Sequence, residues 1–322
     1  MFRTRVTQLF GIQHPIVCGG MQWVSRAELV AAVANAGAIG FITALSMENP
    51  EQLRAEIRKA RSLTDKPIGV NVTLLPTARP VPIDEFFDVA LEEGVDAIET
   101  SGRISEAQVA RIKRGKAKHL HKVARLRDAV TSQRLGVDAV AIVGYECGGH
   151  PSMEEVGTVV LAPEVVDAVS IPVIAGGGFA DARGLVMALA MGAEGVLMGT
   201  RFMATKESIV HPNLKEWMVQ AKETDTALVQ KSIRNPARVI RNKTADKVLE
   251  MEARGTTLQE LLPLISGLVG RKVLAEGQID AGTVACGQSV GLVHDIPTVK
   301  ELVDRIVGDA EQIVKRLAAT VN

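Results

Sequence analysis

Short apolar runs rich in Val and Ile alternate with charged, helix-patterned segments along the first two hundred residues, and no other feature narrows the fold as much. The runs are PIVCGG, AIGFITAL, PIGVNVTLL, DAIETSG, KAKHLHKV, DAVAIVG, IPVIAGGG and EGVLMGT. Strands that are apolar along their length and separated by helices are covered on both faces, which is the condition of a parallel sheet. Eight such units close on themselves, so the pattern predicts an α/β fold of the (β/α)8 TIM-barrel type. With 322 residues, 47% of them hydrophobic, the chain can bury the core such a barrel needs.

After Thr205 the alternation stops. HPNLKEWMVQAKETDTALVQ and PARVIRNKTADKVLEMEARG read as helices with no strand between them, so an inserted helical subdomain is expected over about 208–275, acting as a substrate or lid unit. The barrel then takes 1–207 and 276–322, closed by the amphipathic PTVKELVDRIVGDAEQIVKRLAA.

Charge and cysteine usage exclude several classes of function. The 37 basic and 37 acidic residues cancel. No Lys/Arg block sits beside aromatics, so nucleic acid is not an expected partner. The N-terminal MFRTRVTQLFG has no signal-peptide core, and the apolar runs are broken well short of a membrane span. Cys18, Cys147 and Cys286 have no zinc-type spacing, so no metal site is expected, and three thiols fit a reducing compartment. The reading is a cytoplasmic protein whose partners are small molecules.

The loops after the seventh and eighth strands are where barrels of this type often bind phosphate. Here they carry Gly176, Gly177 and Gly178 in IPVIAGGGFAD, and Gly199 and Thr200 in GVLMGTRF. Glycines let backbone N–H groups approach phosphate oxygens, and Thr200 adds a hydroxyl. A glycine triplet is also an ordinary tight turn, but two such loops at the expected strand ends favour the phosphate. Gly19, Gly20 and Met21 follow the first strand, where a flat ring can lie against the backbone; Met21 and Trp23 read equally well as core contacts. Asn71 and Thr73 alternate on the third strand and so point the same way, into a barrel where polar groups need partners. A phosphate at one side and polar ring contacts at the other describe FMN. No GxGxxG follows a strand, which argues against a Rossmann dinucleotide site.

Two further residues carry chemistry. Lys122, at the end of the fifth strand in HLHKV, places a cation where it can stabilise a reduced, anionic ring. The bland alternative is a lysine snorkelling at a strand end. His150 stands in GYECGGHP after the sixth strand, stiffened by Pro151, and a histidine at a barrel mouth serves as general base or hydrogen-bond donor near neutral pH. His119 and His121 read as structural, and His14, His211 and His294 have no comparable context.

Together GIQHPIVCGGMQWVSRAELVAAVANAG, PIGVNVTLLP, GYECGGHP, IPVIAGGGFADARGL, GAEGVLMGTRFMATKES and ACGQSVGLV resemble the nitronate monooxygenases, formerly called 2-nitropropane dioxygenases. They are similar also to two relatives on the same scaffold, an NADH:quinone reductase and the flavin-dependent enoyl-acyl-carrier-protein reductase. The resemblance runs over nearly the whole chain. It implies non-covalent FMN, a catalytic histidine at His150, and FMN contacts from Gly20, Met21, Thr73, Lys122, Gly148, Gly176, Gly178, Gly199 and Thr200. Gln288 and Ser289 join these from the closing loop, and Gln22, Asn71, Gly149 and Gly177 complete the cofactor set. Gly148 stands where a relative has alanine and Gly176 where it has serine, and the segment leading to Lys122 is the least familiar.

The reaction implied is oxidation of an alkyl nitronate by O2 to a carbonyl compound and nitrite. The runner-up is hydride transfer from NADH through FMN to a quinone, favoured by GYECGGHP and by the proline-rich LLPTARPVP with Pro76, Pro80 and Pro82. Enoyl reduction is third, because the chain shows no basic patch for an acidic carrier protein. A flavin-binding protein without turnover, acting as a store or sensor, is the non-enzymatic alternative. The expected partners are the nitronate, or NADH and quinone, with O2; a homodimer is compatible with the sequence.

Overall fold

The computed structural model describes residues 2–74 and 81–321. Eight parallel strands close into a barrel in chain order: β1 (Ile16–Cys18), β2 (Ile39–Thr43), β3 (Gly69–Leu74), β4 (Ala97–Gly102), β5 (Lys118–Val123), β6 (Ala139–Val143), β7 (Val173–Gly176) and β8 (Val196–Met198). β8 pairs back onto β1, with Ile16, Val17 and Cys18 opposite Val196, Leu197 and Met198. The eight strands coincide with the eight apolar runs of the sequence, and the protein is a TIM barrel with flanking helices.

The barrel interior is filled by one apolar cluster that includes Val17, Ile39, Phe41, Ala97, Leu120, Ala139, Ala141, Ile174 and Leu197. Large and small residues share it. Phe41 occupies the space a side chain at Gly69 would take, since a Cβ there would lie 2.3 Å from the Phe41 ring. Residues alternate inward and outward along a strand, so the inward set continues beyond Gly69, Ala97 and Leu120 to Asn71 and Thr73, Glu99 and Ser101, and Lys122. The interior thus changes from apolar to polar toward the C-terminal end of the strands.

The helices cover the outside. Asn49 caps the helix Pro50–Leu63 through its side chain, with proline at the first helical position. The closing helix Val299–Ala318 begins at a Thr298/Glu301 capping box and buries Val299, Leu302, Val303, Ile306, Val307 and Ala310, the stripe expected of one buried helix face.

Between β8 and this last helix, the expectation of helices without strands is corrected. The segment carries the helices Pro212–Gln220, Lys243–Ala253, Leu258–Ile265 and Gly267–Glu276, but also an antiparallel pair, β9 (Thr226–Val229) and β10 (Ala237–Ile240). TALV and ARVI are short apolar runs that the charged residues around them had merged into helical patterns. Gln230 and Arg234 between them adopt left-handed φ of 66° and 57°, so the chain turns back where a helix would have continued. The pair packs with Val248 and Leu261 in a small core of its own.

Candidate active site

At the C-terminal end of the barrel the inward polar residues form one connected network. Glu99 is fully buried. Its Oε2 accepts from Asn71 Nδ2 at 2.6 Å and from the Gly20 backbone N–H at 3.0 Å, and its Oε1 lies 3.3 Å from Lys122 Nζ. The network continues outward as Ser101 Oγ donates to Thr73 Oγ1 and Thr73 Oγ1 to Asn71 Oδ1. Strand register explains the meeting, since Asn71 sits opposite Glu99 and Ser101 opposite Lys122. Gly20 has to be glycine here, because a Cβ would lie 2.3 Å from that of Asn71.

The sequence had offered Gly20, Asn71, Thr73 and Lys122 for this end of the barrel, and the fold brings them together. It had not offered Glu99 or Ser101. The available signal was an ionisable residue in an otherwise apolar strand, which has to find a partner once buried.

The remaining loops join the same end. Met21 leans over Gly199, with its sulfur 3.4 Å from where a Cβ there would sit. Thr200 Oγ1 accepts from the Gly287 N–H at 2.9 Å, and its hydroxyl also faces the Cys286 thiol. Gly176 is the last residue of β7, while Gly177 and Gly178 follow with φ of 100° and 85°, a backbone open to glycine. The Gln288 N–H donates to the Glu146 carbonyl, and Ser289 is buried behind it. Gln22 departs from the rest: its side chain turns toward Gly267 of the inserted segment. Trp23, beside it, holds a left-handed φ of 67°, and its indole N–H donates to the Gly267 carbonyl at 2.9 Å. Among the proline positions, Pro76 and Pro80 lie outside the described residues.

The loop carrying His150 is held from three sides. Glu146 turns its carboxylate back onto the N-terminus of the helix Thr158–Ala168, accepting from Thr158 N and Oγ1, where the helix dipole favours a negative charge. Gly148 packs against Cys286 and Gly287, so closely that a Cβ would lie 2.7 Å from the Gly287 nitrogen. Gly149 forms an antiparallel bridge with Arg238 of β10, with N–H···O bonds of 3.0 and 2.6 Å. Arg238 is itself buried, and its guanidinium donates to the Tyr145 carbonyl and to Thr226 Oγ1. The inserted strands therefore clamp the histidine loop, a role the sequence did not suggest for Arg238.

His150 Nδ1 lies 3.1 Å from the Pro236 carbonyl. A carbonyl only accepts, so Nδ1 carries the proton, and in the neutral ring Nε2 is left with its lone pair. His150 is exposed at the barrel mouth, yet desolvation by the surrounding protein lowers its pKa, against the opposing pull of the Pro236 and Asn235 carbonyls. The imidazole is thus neutral near pH 7, the form able to accept a proton.

His119 and His121 point to the outside of β5 and are buried. Thr100 Oγ1 lies 2.8 Å from His119 Nε2 and 2.7 Å from His121 Nδ1. Its single proton serves one ring, and its lone pair the other. Burial lowers the pKa of His119 to about 3 and of His121 to about 4. Both are structural, as the sequence suggested. The three cysteines are free and buried, and burial pushes each thiol well up from its ordinary value, so none is activated.

Comparison with known proteins places this geometry. The family model described as nitronate monooxygenase matches residues 3–309. The chain belongs to the nitronate monooxygenase family. Within and around that family, it is 36% identical, over 98% of both chains, to the (3aS,4S,5R,7aS)-5-hydroxy-7a-methyl-1-oxo-octahydro-1H-indene-4-carboxyl-CoA dehydrogenase of Rhodococcus jostii. It is 32% identical to a probable nitronate monooxygenase of Staphylococcus aureus, over 78% of this chain and 81% of that one. Among solved structures, FabK from Thermotoga maritima superposes with a TM-score of 0.92 at 39% identity, covering both chains completely. The nitroalkane oxidase of Streptomyces ansochromogenes, at 24% identity and a TM-score of 0.81, shares the fold. Like the other members of the nitronate monooxygenase family, this protein is an oxidoreductase. No helix among the described residues is long and apolar enough to cross a membrane.

Proposed function

We propose that the protein binds FMN at the C-terminal end of the barrel and oxidises alkyl nitronates with O2 to a carbonyl compound and nitrite. The observation that carries the reading is His150, a neutral imidazole with Nδ1–H fixed on Pro236 and Nε2 unprotonated, in a loop clamped beside the glycine turns. Two features fit the cofactor. A Cβ at Gly178 would meet only the Glu146 side chain, at 3.7 and 3.8 Å, so the turn after β7 is open as a phosphate cradle would be. The network ending in Lys122, Thr73 and Asn71 supplies polar partners for the edge of a heterocycle.

In this reading the backbone of Gly177, Gly178 and Gly199 and the Thr200 hydroxyl hold the phosphate, with Gln288 and Ser289 beside it. Met21 and Gly20 would lie along the ring, and Gly148, packed against Cys286 and Gly287, and Gly149 would offer backbone to it at the histidine loop. Bound FMN supplies the electron carrier. His150 Nε2 orients the nitro group, or takes the α-proton when a neutral nitroalkane is the substrate. Segment 208–275 covers the substrate side, and its β10 sets the position of His150.

A second reading is reduction of the flavin by NADH with a quinone or an acyl thioester as partner; its thioester form is favoured by the indene-carboxyl-CoA dehydrogenase relative at 36% identity over nearly the whole chain. Anaerobic mixing separates the two. NADH that bleaches the flavin at once makes the protein a reductase; nitronate-dependent O2 uptake with nitrite release, and no response to NADH, sustains the proposal.

A further inference from the structure

Glu99 is a fully buried carboxylate at the centre of the polar network, and hydrogen bonding alone does not explain why it is charged. Its Oε2 is occupied by Asn71 Nδ2 and the Gly20 N–H. A neutral amide oxygen would accept both. Its Oε1 accepts no hydrogen bond and faces the Lys122 ammonium, 3.3 Å away. This is the one ion pair of Lys122 among the described residues. The two partners differ in depth: the Lys122 side chain retains 19% of its exposure, whereas that of Glu99 has none. The ammonium therefore stands on the open side of the pair, with the carboxylate beneath it.

A buried carboxylate is costly unless a cation or donors compensate it, so the arrangement has a use that neutral residues would not serve. We propose that Glu99 is a positioning residue for the redox site: it holds Lys122 Nζ toward the cofactor edge and partly offsets its positive charge, setting how strongly the site favours the reduced form. This deepens the FMN reading above and rests on it. Adding electrons to a ring adds negative charge, which a nearby ammonium stabilises and a nearby carboxylate opposes. Loss of the carboxylate leaves the ammonium uncompensated, so reduction becomes easier.

The test is the midpoint potential of the bound flavin, measured by dye equilibration in E99Q, E99D, K122M and E99Q/K122M. E99Q is expected to favour reduction at least tenfold, about +30 mV for a two-electron couple, while E99D, which keeps the charge, stays within threefold of the parent protein. Glu99 acts partly by its own charge and partly by holding Lys122, so the same Glu99→Gln change made in K122M shifts the equilibrium by a clearly smaller factor than in the parent protein. An E99Q potential that is unchanged or lower overturns the proposal, as does an equal shift with and without Lys122. If E99Q does not fold, recovery of folded, flavin-loaded protein in E99Q/K122M supports the pairing, and failure of both overturns it. A parent protein that binds no flavin removes the FMN reading itself, and this inference with it; flavin bound with an unmoved potential removes only the inference.

Discussion

His150 and the pair His119 and His121 are all kept neutral by desolvation, but His150 lies at the barrel mouth and the pair is buried outside β5, so they predict different pH behaviour. His150 sits at the mouth with Nδ1–H on Pro236, so His150→Ala is expected to lower kcat by roughly 10²–10⁴ while flavin absorbance and Tm stay near the parent values. Flavin lost together with activity would show instead that the residue builds the site. The working form of His150 is the neutral one, and its lowered pKa carries that form below the ordinary histidine range. Activity should therefore persist below pH 6.5 before falling. His119 and His121 act on stability. Their folded pKa values, about 3 and about 4, lie below the unfolded value of 6.5. As pH falls through 6.5 the unfolded chain binds protons that the folded chain refuses, so stability is full above 6.5 and declines down to pH 4 and then 3. Each histidine contributes up to about 1.4 kcal/mol per pH unit in that window. Urea midpoints at pH 7 and 4.5 should separate clearly in the parent protein and less in H119Q/H121Q; equal separation would move the effect to other groups.

At the level of elements, the hairpin β9–β10 is the feature the sequence concealed. Its runs, TALV and ARVI, are four residues each and lie among charged residues, whereas each barrel strand is bounded by a helix and a recognisable turn. Periodicity over so few residues does not separate strand from helix. The glycine turns were legible because a strand of known polarity ended at each of them, and His150 because it stood on such a turn. Glu99 was not legible, since its meaning depends on the register that sets Asn71 opposite it and Ser101 opposite Lys122. Arg238 was hidden likewise, since its contact with Gly149 joins a barrel loop to a strand far along the chain, in the inserted segment. Arg238→Ala should remove the donors to Tyr145 and Thr226, costing roughly 2–4 kcal/mol of stability. The loosened histidine loop should also lower kcat by about tenfold or more, with Arg238→Lys intermediate. A variant as stable and active as the parent would mean that the hairpin does not hold the loop.

Across the whole molecule, the barrel and its insert divide the work: closed strands fix the polar network, and chain that returns after residue 207 fixes the loops above it. The two meet at the turn after β8, where the Gly287 N–H donates to Thr200 Oγ1, so a ligand that reaches it from the turn after β7 touches both and should stabilise the fold as a unit. Ligand that binds only the folded state adds about 2.7 kcal/mol at a hundredfold excess over Kd. If the turns hold a phosphate, removing that group from the ligand should cost most of the gain, because the ring contacts at Asn71, Thr73 and Lys122 remain but the contacts from Gly177, Gly178 and Thr200 do not. Apoprotein heated with FMN is therefore expected to unfold several degrees higher than apoprotein alone, and with riboflavin at the same concentration only slightly higher. Equal shifts with the two ligands would place the phosphate outside the turns and leave the glycines as ordinary strand-to-helix geometry. A Gly178→Val variant, which closes the open side of the cradle, should erase the difference between FMN and riboflavin while leaving the riboflavin shift in place.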